Sequence, residues 1–246
     1  MAVIRCNGVV FSNIKTILFD KDGTLANVEQ FLWKLGHERS RWIDSQVPGL
    51  YHTLMSAFGI SGQNFHSQGL MAVGTRQENE IAAAAYVAAT GKAWVQAVDL
   101  VHHAFVKADQ HMASKAEQTP PFPGIVELLH RLHQLDVQLG IVSSDHSENI
   151  ADFLQVYGLN ALFQHYIGAQ AGVSKPNPIF VHQACAALHA EPASTLIIGD
   201  SSADIEMARL AHTAGAIAAL WAWQDVTELP NASAIVSSIS QIEVLP

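Results

Sequence analysis

The sequence predicts an α/β fold in which a parallel sheet is interrupted after its first strand by a long helical insertion. Three observations carry this. Short apolar runs at Ile17 to Phe19, Ile141 to Val142 and Leu196 to Gly199 each stop at an oxygen-bearing side chain, Asp20, Ser143 and Asp200. Continuous apolar runs of this kind suit strands buried on both faces. From Val28 to about Lys115 apolar residues instead recur at three- and four-residue spacing, and beyond a proline-rich border helix and strand patterns alternate.

The first strand, Ile17 to Phe19, runs into the hexapeptide Asp20-Lys21-Asp22-Gly23-Thr24-Leu25, with Gly23 supplying a sharp turn. The insertion then predicts helices over Gln30 to Ile43, Gln77 to Thr90 and Ala93 to His111, divided by glycines, with no convincing strand. Its far border is Thr119-Pro120-Pro121-Phe122-Pro123-Gly124, where proline stiffens the backbone. After it come a helix from Ile125 to Leu135, a strand from Val137 to Val142, a helix from Ser147 to Tyr157 and a short strand near Tyr166 to Gly168. A helix from Pro178 to Leu188, a strand at Thr195 to Ile198, a helix from Ser202 to Ala214 and strands at Ile217 to Leu220 and Ala234 to Val236 complete the pattern. The expected division is an α/β domain of residues 1–26 and 119–246 and a helical domain of residues 27–118. Right-handed crossovers and an insertion after the first strand lead to the expectation that the helices stand over the carboxyl edge of the sheet, above Asp20.

Composition narrows the function. A chain of 246 residues with 49% hydrophobic and 14% charged residues has ample core for one large or two unequal domains. A formal charge of −9 argues against a nucleic-acid binder, because phosphate backbones are held by clustered Lys and Arg. Cys6 and Cys185 form no CxxC pair, and the 13 histidines are scattered, so neither a disulfide framework nor a zinc site is expected. The longest apolar stretches fall short of the ~18 residues that signal a membrane span. With an amino terminus broken by Arg5, Asn7 and Ser12, the chain reads as cytoplasmic.

The strand tips carry the chemistry. Open parallel sheets bind ligands beyond the carboxyl ends of their strands, so Asp20 should meet Asp200 in space. Asp22, two residues after Asp20, allows one carboxylate to attack an electrophile while the other shuttles a proton. Asp204 lies on the first turn of the helix after Asp200, where it reads either as a helix-start carboxylate or as a fourth member of the cluster. Four carboxylates in one crevice repel one another unless a cation intervenes, and oxygen-only donors supplemented by water favour Mg²⁺. Lys175, in Ser174-Lys175-Pro176-Asn177-Pro178, can neutralise charge building on a phosphoryl group, and Ser143 with the backbone of Ser144 can donate hydrogen bonds to the same oxygens. Gly23 is a further contact candidate. Arg76, near a helix start in the insertion, reads either as a recogniser of an anionic substrate tail or as an exposed ion pair with Glu78 or Glu80.

Taken together, DKDGTL, Ser143 after its strand, Lys175 followed by PNP, and GDSSAD resemble the four motifs of the haloacid dehalogenase-like hydrolases in their usual order. The resemblance implies a Rossmann-like parallel sheet core with an inserted all-helical cap domain. It implies a Mg²⁺-dependent phosphatase with Asp20 as nucleophile, Asp22 as acid and base, and Ser143 and Lys175 orienting the phosphoryl group. The metal ligands by resemblance are a carboxylate oxygen of Asp20, the backbone carbonyl of Asp22 and the Asp200 carboxylate, with Asp204 just behind them or bound through water. A helical insertion at this place suggests the phosphoglycolate phosphatase-like branch, which acts on small phosphorylated metabolites, with specificity set in the cap. After DGTL, however, this chain has Ala26-Asn27-Val28 where that branch often has an acidic residue and serine. Two alternatives remain: a sugar phosphomutase that returns the phosphoryl group to a sugar, and a phosphoacceptor protein without turnover.

Overall fold

Ile17, Leu18 and Phe19 have no exposed surface, and the strand they form, Thr16–Phe19, lies inside a six-stranded sheet. Across the sheet the order is Ala234–Val236, Gly215–Ala219, Thr195–Gly199, Thr16–Phe19, Gln138–Val142 and His165–Ile167, and every pairing is parallel. The registers Phe19 to Ile141 and Phe19 to Ile198 bring the carboxyl ends of the three central strands level. From the first strand the chain moves to one side of the sheet and then returns to the other. The crevice between Thr16–Phe19 and Thr195–Gly199 is therefore the topological switch point, where parallel sheets bind ligands.

The computed structural model describes residues 2–62, 64–170, 173–223 and 229–246. Its two compact units are Met1–Val28 with Thr119–Pro246, and Glu29–Gln118. In the α/β unit, the amphipathic helix Ile125–Gln134 buries Leu128, Leu129 and Leu132, and Ser147–Val156 buries Ile150, Phe153 and Leu154. Ile179–Ala187 and Ser202–Leu210 supply Phe180, Val181, Ile205 and Met207 to the core. Leu18 is fully enclosed, so Leu18→Ala is expected to lower unfolding stability by about 2–5 kcal/mol. Denaturant titration measures this, and a loss below about 1 kcal/mol would contradict the packing described.

In the α/β unit the strand expected at Ile217 to Leu220 runs instead over Gly215–Ala219, and two larger features depart from the sequence pattern. The helix expected to reach Ala214 ends at Leu210, because His212 turns into the left-handed region at φ 52° and the Thr213 N–H closes onto the Ala208 carbonyl at 3.2 Å. The chain's two ends form a three-stranded antiparallel sheet ordered Ile242–Leu245, Ala2–Cys6, Val9–Ile14, which the sequence pattern does not include. Its tight turn is Asn7-Gly8, both at positive φ, a pair whose backbone twist matches a hairpin.

The second unit is built on the long helices Glu29–Asp44, Arg76–Ala88 and Trp94–His111, with shorter ones at Tyr51–Ala57, Leu70–Val73 and Lys115–Gln118. Thr75 opens Arg76–Ala88 with a capping box completed by Glu78. The unit adds a minimal antiparallel pair, Ile60–Ser61 with Asn64–Phe65, too short for alternation to register in the sequence. Among the described residues no helix is long and apolar enough to cross a membrane.

Candidate active site

Asp20 follows directly on its strand, and its N–H continues the ladder by donating to the Ile198 carbonyl at 2.9 Å. That bond ties the tip of the first strand to the strand carrying Asp200. One carboxylate oxygen from each of Asp20, Asp200 and Asp204 lies within 4.8 Å of the other two. Lys175 joins them: its Nζ donates to Asp20 Oδ1 at 2.5 Å and to Asp204 Oδ1 at 2.6 Å. Asp204 also caps its own helix, accepting from Ser201 Oγ at 2.6 Å through Oδ2. The helix-start and cluster readings of Asp204 thus describe two oxygens of one side chain.

Electrostatics follow from this enclosure. Burial pushes the Asp20 carboxyl up to about 7; Lys175 pulls it down, while Asp204 and Asp22 add repulsion. Asp200 is held well above the ordinary carboxylate range by burial and by repulsion from Asp20 and Asp204, tempered by the Trp223 indole N–H and Lys175. Burial alone would weaken the Lys175 ammonium, but Asp20 and Asp204 outweigh it and hold its pKa above the usual value. One ammonium among three carboxylates leaves an excess of negative charge. The oxygen-only donor set, the short separations and the raised carboxyls fit a hard divalent cation.

Gly23 makes the cluster sterically possible. It sits at φ 87°, and a Cβ there would lie 2.1 Å from Asp200 Oδ2. The turn around it is tied by the Gly23 N–H to the Ala26 carbonyl at 2.9 Å and by the Leu25 N–H to the Lys21 carbonyl at 2.9 Å. Asp200 also accepts from Thr24 Oγ1 at 3.3 Å and from Trp223 Nε1, and Trp221 Nε1 donates to the Thr24 carbonyl at 3.0 Å.

Asp22 stands outside the three-carboxylate group, its Oδ1 paired with Lys21 Nζ. Lys21 in turn reaches Asp145 Oδ2 at 3.0 Å. Ser143 is buried at the end of the neighbouring strand; its N–H donates to the Ile167 carbonyl at 2.9 Å and its Oγ accepts from the Asp145 N–H at 3.1 Å. Ser144 is exposed beside it. Arg76 belongs to the helical unit, where it donates to Glu80 Oε1 at 2.9 Å and pairs with Asp109.

Sequence reasoning passed over several of these participants, among them Lys21, Asp145, Thr24 and Trp223. A signal existed for Lys21, since a lysine between two acidic residues at the tip of a buried strand has little water to escape to. Trp223 carries no local signal, because its partner Asp200 lies 23 residues earlier.

The profile of the haloacid dehalogenase-like hydrolases matches residues 14–212, most of the chain. The protein belongs to this hydrolase family. It is 28% identical over 201 residues to the pyrophosphatase PpaX of Listeria monocytogenes, covering 81% of each chain. With the phosphoglycolate phosphatase of Caulobacter vibrioides it shares 26% identity over 232 residues, 94% of this chain and 90% of that one. Among solved structures, one described as a predicted phosphoglycolate phosphatase from Haemophilus somnus superposes with a TM-score of 0.66 at 17% identity, over 91% of this chain and 94% of that one.

Proposed function

We propose that this chain is a Mg²⁺-dependent phosphatase of small phosphorylated metabolites, phosphoglycolate phosphatase-like, that works through an aspartyl-phosphate on Asp20. The observation that carries the reading is the group of buried Asp20 and Asp204 with half-buried Asp200, closed by Lys175 at a sheet switch point. The nature of the relatives supports it. Two buried, free cysteines fit a reducing, cytoplasmic setting.

In the first displacement an oxygen of Asp20 bonds to phosphorus as the ester oxygen leaves, and Asp22 passes its proton to that oxygen. In the second, Asp22 takes a proton from water, which attacks the phosphorus and returns Asp20 as carboxylate with release of inorganic phosphate. Lys175 favours the ionised form of Asp20 against burial and stands beside the charge that builds on the phosphoryl oxygens. Ser143, the backbone at Ser144 and the turn at Gly23 are read as the further contacts of the phosphoryl oxygens. The cation's holders are Asp20, Asp200, the Asp22 carbonyl and Asp204, and when bound it offsets negative charge on nucleophile and phosphoryl group. Arg76, paired with Glu80 and Asp109, takes no part in the chemical steps and is kept only as a candidate contact for an anionic substrate tail. The helical unit is read as the cap that sets specificity, with boundaries near residues 27 and 118.

Phosphate release from a panel of small phosphate esters, with and without Mg²⁺, tests the reading. Sustained Mg²⁺-dependent turnover is expected; a single stoichiometric burst would point to a phosphoacceptor, and isomer formation from a sugar bisphosphate with little free phosphate to a mutase.

The raised carboxyl of Asp20 gives a second test. Folded Asp20 holds its proton up to about pH 7, against an ordinary value of 3.8, so its contribution to metal-free stability is present in acid and lost as pH rises through that window. Divalent cations bind the ionised form. The melting temperature of metal-free protein should therefore fall from about pH 5 to about pH 8, and added Mg²⁺ should raise it more at the higher pH. A Mg²⁺ effect equal at both would count against the site.

A further inference from the structure

Lys21 lies between Asp20 and Asp22 in the sequence, yet only 1% of its side chain is exposed. A buried ammonium is tolerated where carboxylates pair with it. Its partners are Asp22 Oδ1 and Asp145 Oδ2. Asp145 is itself anchored at the start of the Ser147–Val156 helix, where its Oδ1 accepts from the His146 N–H at 2.9 Å and from Asn149 Nδ2 at 2.6 Å. The Phe153 ring centroid lies 5.7 Å from the Lys21 ammonium, and the Lys21 carbonyl accepts from the Ala26 N–H at 2.8 Å. Lys21 is thus held at its backbone and at its tip. Asp22, by contrast, has 26% of its side chain exposed, and its ion pair to Lys21 ties that open carboxylate to the rigid interior.

We propose that Lys21, locked between Asp22 and Asp145, is a positioning residue that aims the Asp22 carboxyl at the departing ester oxygen. The inference rests on the reading of Asp22 as the acid of the first displacement. In the reacting form Asp22 is a neutral carboxyl that accepts from Lys21 through Oδ1 and carries its proton on the other oxygen; as the bond from phosphorus to the ester oxygen breaks and the bond to Asp20 forms, that proton moves to the leaving oxygen, Asp22 is left as the carboxylate of the ion pair, and Lys21 keeps all of its own protons. Its effect is geometric: a carboxyl displaced by about an ångström loses much of the advantage of a fixed donor.

The test is the first-turnover rate of leaving-group release in Lys21→Met, across a series running from para-nitrophenyl phosphate to simple alkyl phosphates. An aryl oxide departs with little protonation, whereas an alkoxide needs it. The variant should lose about 10- to 100-fold on alkyl esters and less than about threefold on the aryl ester, with KM little changed. Equal losses on both would mean that Lys21 merely supports the fold, and no loss would mean that it is idle; either overturns the inference. If Lys21→Met does not fold, Asp145→Asn, which removes the outer anchor, carries the same comparison and should show a smaller loss with the same selectivity. Asp22→Asn is the benchmark. Selective loss in Asp22→Asn but in neither other variant overturns the positioning role alone; its absence from Asp22→Asn overturns the acid assignment, and the inference with it.

Discussion

Asp20→Asn is expected to abolish turnover, by on the order of 10⁴-fold or more, while the protein stays folded. An amide oxygen is a poor nucleophile and leaves no stable phosphoryl adduct, and the neighbouring carboxylates are committed elsewhere. Asp200 is held by Thr24 and Trp223, and both oxygens of Asp204 are engaged by Lys175 and Ser201. The fold should tolerate the change, because Asp20 is buried and its charge is disfavoured there, so the isosteric neutral group removes repulsion from Asp204 and Asp22. Lys175 keeps Asp204 as a partner. Metal-free Asp20→Asn should therefore melt at or above the parent temperature near pH 7. Phosphate-release assays and thermal melts check both halves, and retained turnover would remove Asp20 from the mechanism.

Gly23→Ala should be nearly as damaging to activity, for a different reason. At φ 87° a side chain is strained by about 1–2 kcal/mol wherever it stands. Here the added Cβ would also lie 2.1 Å from Asp200 Oδ2 and 2.7 Å from its Cγ, so Asp200 or the turn must shift. Displacing the carboxylate proposed to hold the cation by such an amount is expected to reduce turnover about 100-fold and to raise the Mg²⁺ concentration needed for half-activity. Gly8→Ala separates the two effects. Gly8 sits at φ 85°, and a Cβ there would meet nothing within 4 Å, so it bears the backbone strain without the collision. Similar melting shifts but loss of activity only in Gly23→Ala is the expected pattern. Equal activities in the two variants would show that the Gly23 and Asp200 contact is not critical.

Much of the parallel sheet was legible because its signals are local. Ile17 to Phe19 and Leu196 to Gly199 read as buried strands from their own composition, and the strand Ala234–Val236 begins and ends where the pattern places it. The antiparallel sheet was not. Its strands Ala2–Cys6 and Ile242–Leu245 pair across nearly the whole chain, and only the Asn7-Gly8 turn between Ala2–Cys6 and Val9–Ile14 left a local trace. At the site, the same division separates Asp20, Asp200 and Asp204, marked by strand ends and a helix start, from Asp145 and Trp223, which no short window connects to their partners.

The amino-acid order by itself determined which residues end buried strands, where the long helices run and which acidic and basic groups stand at the strand tips, because hydrophobic periodicity and turn chemistry act over a few residues. Only the tertiary structure decided that Lys175 divides its ammonium between Asp20 and Asp204, that Trp223 holds Asp200, and that Lys21 is buried between Asp22 and Asp145. Ion pairs and hydrogen bonds have a reach of about 3 Å in space and no fixed reach along the chain, so Trp223 and Asp200, 23 residues apart, and Lys175 and Asp20, 155 apart, meet only once the sheet has set their positions.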